Sequence, residues 1–302
     1  MVIHCFIDSK SRYVTGIRVS NNNRASTVFD LFQDVIHNHG VPSRVRGDHG
    51  TENLMVAQWM EENMGVDRGS YIWGRSVILF PFGLFGIDHI LSIMTYRSVH
   101  NTWIERLWYH ITHAFGQKWK NFFLDLETHH SLNPRAAEHV WLLHHLFLDA
   151  VNQDAQEWAH AWNSHHLQIR GERERSPRDI FIFSMLQDGP RGVQRLTTPT
   201  DKPVDDLASH GIDWDVTDDH RLMNHLLWEN PQAWEDDNPF SSGPVTASHV
   251  PCEPPDCPFS TAQVLELDTR LGNLVDVSSR NMHIRHMVWV EALEICTFIY
   301  QT

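Results

Sequence analysis

The chain has 302 residues, enough to bury a sizeable core in one or two domains. A formal net charge of −14 argues against a simple nucleic-acid binder, whose affinity comes from cations on phosphates, and four scattered cysteines are too few for a disulfide framework. The acidity is uneven: residues 1–190 carry 17 Lys+Arg against 20 Asp+Glu, whereas residues 191–302 carry 7 against 18.

In chain order, Val2–Ile7 alternates and ends at Asp8, and a Ser9-Lys10-Ser11-Arg12 turn leads into Tyr13–Val19, so the segment predicts a hairpin. No basic stretch, apolar run and cleavage site succeed one another near the start, so the chain reads as not secreted. Ala25–His39 has the helical spacing Val28, Phe29, Phe32, Val35, Ile36 and meets Gly40 and Pro42, which end helices. Val41 and Val45 then predict a short buried strand running into Gly47-Asp48-His49-Gly50. Two glycines around one acid allow a sharp turn that projects Asp48 from the carboxyl end of the strand, the edge where open α/β sheets place their chemistry. A helix comes next over Glu52–Met64, and Gly69–Arg75 predicts another strand, with Trp73 in the core.

Val77–Ser98 is apolar, but Pro81, Gly83, Gly86, Asp88 and His89 argue against a membrane span. Ser76-Val77 recurs as Ser98-Val99, which marks the 22 residues between as an insertion or retained intron; a genuine loop is the alternative. Val99–Trp119 predicts an amphipathic helix with the stripe Ile104, Leu107, Trp108, Ile111, Phe115 and with Glu105 at its edge. Removing the 22 residues from the 57 positions that separate Asp48 and Glu105 leaves 35. A strand-end Asp and a helix-borne Glu are the hard oxygen donors that two-metal phosphoryl transfer requires.

The pieces CFIDSKSRYVTGIRVSNNNRA, VPSRVRGDHGTEN, YIWGRS and HNTWIERLW resemble the integrase core, the D-D-E family of retroviral integrases and transposases with a ribonuclease H-like fold, in the form found in eukaryotic mobile elements. The resemblance runs from Val2 to about Leu186. It implies an α/β fold: an incomplete ribonuclease H-like mixed sheet flanked by helices, with Asp48 and Glu105 as catalytic metal ligands for Mg2+ or Mn2+. It further implies DNA as partner, no membrane, a homo-oligomer as an option, and a nuclear location. In the family the first metal ligand lies on the strand before Val2–Ile7, so the chain is expected to be truncated ahead of that Asp, and Asp8 is read as a structural turn residue. Thr112 stands where the family has a lysine. Two readings result: an integrase-type enzyme using two divalent ions, or a catalytically defective remnant or co-opted module that binds DNA or protein.

The core is expected over residues 1–120, with a helical extension over 121–187 built from helices at Asn121–Glu127, Glu138–Val151, Gln153–Trp162 and Ile180–Leu186. Lys118, Trp119 and Lys120 are candidates for touching DNA backbone. The histidines His129, His130, His139, His144, His145, His160, His165 and His166 lack zinc spacing and read as solvated or hydrogen-bonded, and Cys252/Cys257 is a weak zinc candidate. Residues 188–302 read as an acidic, partly disordered tail with helical islands at Arg221–Trp228, Val264–Leu271 and Asn281–Ile299.

Overall fold

The computed structural model describes residues 1–48, 50–65, 69–74, 102–167, 174–188 and 252–301. Expectations for Val77–Ser98 and Arg221–Trp228 lie outside them. The described chain is mixed α/β, mostly helical with small sheets.

Strands β1 (Val2–Ile7) and β2 (Val14–Ser20) form the expected antiparallel hairpin. Its turn is closed by Asp8, whose Oδ2 accepts from the Ser11 N–H at 2.8 Å and from Ser11 Oγ at 2.6 Å. Arg12 adopts φ 64° to finish the turn. Phe6 faces Gly16 and Ile7 faces Val14, so Thr15 is the extra residue of a bulge. The outer edge of β2 is occupied by amide side chains of helix α5 (Ala137–Ser164). Asn163 donates to the Val14 carbonyl and accepts its N–H at 2.9 and 2.8 Å, and Asn152 does the same for Val19 at 2.6 and 2.8 Å. Gln156 donates to the Ile17 carbonyl at 2.5 Å. The bulge explains why the outward-pointing positions change from even to odd numbers along β2. Backbone groups that a neighbouring strand would have paired are satisfied by one helix face.

Helix α1 (Ala25–His39) buries Val28, Leu31, Phe32 and Val35, and Gly40 stops it at φ 84° with its N–H on the Ile36 carbonyl. Strand β3 (Val45–Asp48) pairs in parallel with β4 (Tyr71–Gly74) through helix α2 (Leu54–Met64), preceded by a 3-10 turn at Thr51–Asn53. Among the described residues the strands form two separate pairs, β1–β2 and β3–β4. Phe32, Val56, Ala57, Met60, Tyr71 and Trp73 make the smaller core, so Trp73 is a packing residue as expected.

The larger core is helical. Helix α3 (Thr102–Ile111) runs through a π-turn at Thr112–Gly116 into α4 (Gln117–His129), so the two helices expected around position 120 are one run. Likewise, α5 fuses the two helices expected between Glu138 and Trp162. Trp119 is fully buried, and its indole N–H donates to Asp154 Oδ2 at 2.7 Å. Trp119 is therefore a core residue and not a surface one, while the half-exposed Lys118 is 2.9 Å from the same oxygen. Helix α6 (Pro177–Asp188) starts at Ser176, whose Oγ accepts from the Asp179 N–H at 3.1 Å.

Helices α7 (Thr261–Leu274) and α8 (Met282–Gln301) correspond to two islands of the expected tail, but they are core elements. Ser260 and Gln263 form a capping box at the start of α7. Leu267, Leu271, Val288, Trp289, Ala292 and Ile299 are buried with Leu107, Trp119 and Phe147 in one cluster. The average acidity of residues 191–302 concealed two apolar helix faces. Cys252 and Cys257 are free thiols with separate backbone partners, Asn21 and Phe259, and fall in no three-ligand grouping among the described residues.

Candidate functional site

The site is built at the carboxyl end of β3. Gly47 is there because of Tyr71 on the neighbouring strand: a Cβ at position 47 would lie 2.0 Å from the Tyr71 hydroxyl oxygen. Gly50 is there because of Glu52: a Cβ at position 50 would lie 2.1–2.6 Å from the Glu52 carboxylate atoms. The missing side chains let a hydroxyl and a carboxylate close on the backbone beside Asp48.

Asp48 is 7% exposed and Glu52 is 5% exposed. The Asn53 side-chain amide donates to Asp48 Oδ1 at 2.5 Å. At 3.5 Å the Asn23 amide makes a long contact with Glu52 Oε2. Burial, followed by the neighbouring Glu52, pushes the Asp48 pKa up to about 7; hydrogen bonds from the Gly50 backbone and Asn53 oppose the rise. Burial and both carboxylates hold the Tyr71 phenol well above its ordinary range.

A cleft of about 270 Å³ opens beside this corner. Its walls include residues 3–9 and residues 44–48 in unbroken succession. Side chains of a strand alternate between its faces, so a cavity on a face would be lined by every second residue. Unbroken lining means that the outer backbone edges of β1 and β3 both front the cleft. Val28, Phe32 and Val35 of α1 supply an apolar wall, and Trp108 of α3 and Phe181 of α6 also line it. Buried His4 belongs to the lining; desolvation lowers its pKa to about 4, against a hydrogen bond to the Asn22 carbonyl, so it is neutral at pH 7.

Of the residues singled out in the sequence, Asp48 sits at a strand end as expected. Glu105 lies in α3, again as expected, but its side chain is outside the described residues. Trp108, three positions further along α3, shares the cleft with Asp48, so the two elements border one cavity. Asp8 lies at the rim with one carboxylate oxygen held by Ser11. Sequence reasoning missed Glu52, which reads as an ordinary acid at a helix start. The only signal for it was its four-residue spacing from Asp48 across a glycine.

An integrase core domain model matches residues 1–79 and 84–193. The chain belongs to the integrase core domain family. No curated protein and no solved structure matches it. The match leaves out residues 80–83, four of the 22 read as an insertion, and runs through the other 18. Membership places the chain among mobile-element integrase-related proteins, a family that typically uses divalent metals and implies interaction with DNA. No helix of the described residues is long and apolar enough to cross a membrane.

The described site residues of this integrase core suit such an ion. Asp48 and Glu52 offer hard carboxylate oxygens of the kind Mg2+ and Mn2+ prefer. Glu52 disfavours charge on Asp48 in this buried corner, and a bound cation would lower that cost.

Proposed function

We propose that this chain is an integrase module of mobile-element origin. It holds a divalent cation at Asp48 with Glu52 and Glu105 as its carboxylate partners, serves DNA strand-transfer chemistry by descent, and is deficient in that chemistry. The observation that carries the reading is the buried carboxylate pair at the end of β3, in a cleft bordered by the helix that bears Glu105. Bound Mg2+ or Mn2+ would supply charge stabilisation to a reacting phosphate and an activated oxygen nucleophile.

The chain's own residues shape the corner. Asn53 orients the Asp48 carboxylate, Tyr71 and the α1 wall keep water from one side, and the β3 edge leaves the other side open to the cleft. Deficiency is argued from Asp8. Clamping two ions requires a carboxylate shared by both, and the acid nearest to that role on the N-terminal hairpin is engaged by Ser11. Thr112, in place of the family's lysine, removes a cation that would meet the DNA backbone.

The ribonuclease H-like sheet belongs to the same proposal. With the β2 edge taken by α5, the outer edges of β1 and β3 face one cleft, and an extended segment between them would join the pairs into one mixed sheet. On this reading residues 1–120 form the core, with an insertion at 77–98; residues 121–187 form its helical extension; and the acidic 188–302 segment folds its last helices back. DNA as partner, assembly with further copies and a nuclear location are the matching proposals at the level of the cell.

The test is Mg2+- or Mn2+-dependent nicking of a labelled duplex. The reading expects none from the 302-residue chain. Nicking abolished by Asp48→Asn would confirm the site and overturn the deficiency.

A further inference from the structure

A second group of metal-type ligands lies outside the lining of the Asp48 cleft, where α8 docks on the end of α4. Asp125 sits in the last turns of α4, His130 comes directly after that helix, and His286 lies on α8. One ligand atom from each falls within 4.8 Å of the other two. His286 Nε2 is 2.7 Å from Asp125 Oδ2, and His130 Nε2 is 3.8 Å from the same oxygen. The two imidazole centroids are 5.0 Å apart.

The frame that holds these donors is built into the core. Trp289, fully buried and three residues after His286, donates its indole N–H to the His130 carbonyl at 2.9 Å. Phe122, three residues before Asp125, packs its ring 4.8 Å from the His286 ring. His286 Nε2 is buried and faces the Asp125 carboxylate. The carboxyl end of α4 carries the negative pole of its helix dipole, which favours a cation.

We propose that Asp125, His130 and His286 form a metal site for a borderline divalent transition ion, Zn2+ foremost, that clasps α8 to α4. Two imidazoles and one carboxylate match zinc's donor preference and do not suit Mg2+, which takes oxygen ligands and water. Ligand atoms around tetrahedral zinc at about 2.0–2.1 Å are about 3.3 Å apart, so no pair needs to close by more than about 1.5 Å and the His286–Asp125 pair, now 2.7 Å, opens by about 0.6 Å. Three protein ligands leave a fourth position for water. His129, whose Nε2 is 3.8 Å from the other Asp125 oxygen, is exposed and dispensable on this reading.

The experiment uses the full 302-residue chain, stripped with a chelator and titrated with Zn2+ by calorimetry, with Co2+ as a visible-absorption probe. One tight equivalent is expected, with Co2+ bands of tetrahedral intensity and a Zn2+-dependent rise in Tm that Asp48→Asn retains and that Mg2+ does not give in that variant. His286→Ala and Asp125→Asn should each weaken the site by about 10–100-fold, whereas His129→Ala should leave it within about threefold. Asp125→Asn keeps the shape of a half-exposed side chain, so its effect is readable even if His286→Ala fails to fold. Absence of saturable Zn2+ binding would overturn the proposal. So would binding that survives Asp125→Asn unchanged, since the chain has 22 histidines and scattered ones could produce it.

Discussion

The Asn53 side-chain amide donates at 2.5 Å to Oδ1 of Asp48, five residues earlier in the chain, across the turn that also brings Glu52 into the same buried corner. That bond fixes which way the strand-end carboxylate faces, and it makes the corner's charge state measurable.

Asp48 should make the fold less stable as pH rises. Its ordinary pKa of 3.8 is raised to about 7 in the folded chain. Between those values the folded state binds more protons than the unfolded state, so unfolding free energy falls with increasing pH. Over that range the loss is on the order of 4 kcal/mol, complete above about pH 7. Denaturant unfolding at pH 4.5, 6 and 8 should show this slope in the natural chain and lose most of it in Asp48→Asn. Mg2+ should restore stability at pH 8 in the natural chain alone. An unchanged slope in Asp48→Asn would assign the pH dependence to other groups.

The two glycines beside Asp48 should separate stability from binding. Gly47→Ala drives a methyl into the Tyr71 hydroxyl, a buried aromatic with little room to move, and should cost about 1–3 kcal/mol. Gly50 has an ordinary extended φ of −70°, so Gly50→Ala strains no backbone and instead expels the flexible Glu52 end. It should cost less stability but weaken Mn2+ binding more. The reverse ranking in a paired thermal-melt and binding comparison would contradict the arrangement.

How far the sequence foretold this site depends on the length scale of each signal. The hairpin, α1, the strand ending at Asp48 and the helix carrying Glu105 all arise from short-range periodicity and glycine placement. Glu52 could not be separated from a helix-start acid, because its burial is produced by α1 and β4, which are distant in sequence. Asn152, Gln156 and Asn163 look like the polar face of a helix; only the fold shows that they close the β2 edge. Helices α7 and α8 were legible as helices, whereas their burial was masked by the acidity of the surrounding segment.

Closure of the β2 edge by amides should be costly to remove. Asn163→Ala leaves both the N–H and the carbonyl of Val14 unpaired in a buried position, for a loss of about 2–4 kcal/mol. Hydrogen exchange should report the same event locally, with faster exchange at Val14 and less change at Val19, which Asn152 holds.

Docking of α8 should matter to the whole chain. Trp289 is fully buried against the α4 end, so Trp289→Ala should cost about 3–5 kcal/mol and lower Tm in a single transition. Two transitions, with only the earlier one affected, would mean that α7 and α8 fold apart from the core.

The most direct measurement is Mn2+ binding at pH 8, read from loss of the free-ion electron paramagnetic resonance signal, in the natural chain, Asp48→Asn and Asp125→Asn. One saturable site is expected, which Asp48→Asn abolishes and Asp125→Asn leaves intact. Equal Mn2+ binding by the natural chain and Asp48→Asn would contradict it, because the buried carboxylates at the end of β3 would then not be the cation site of this integrase core.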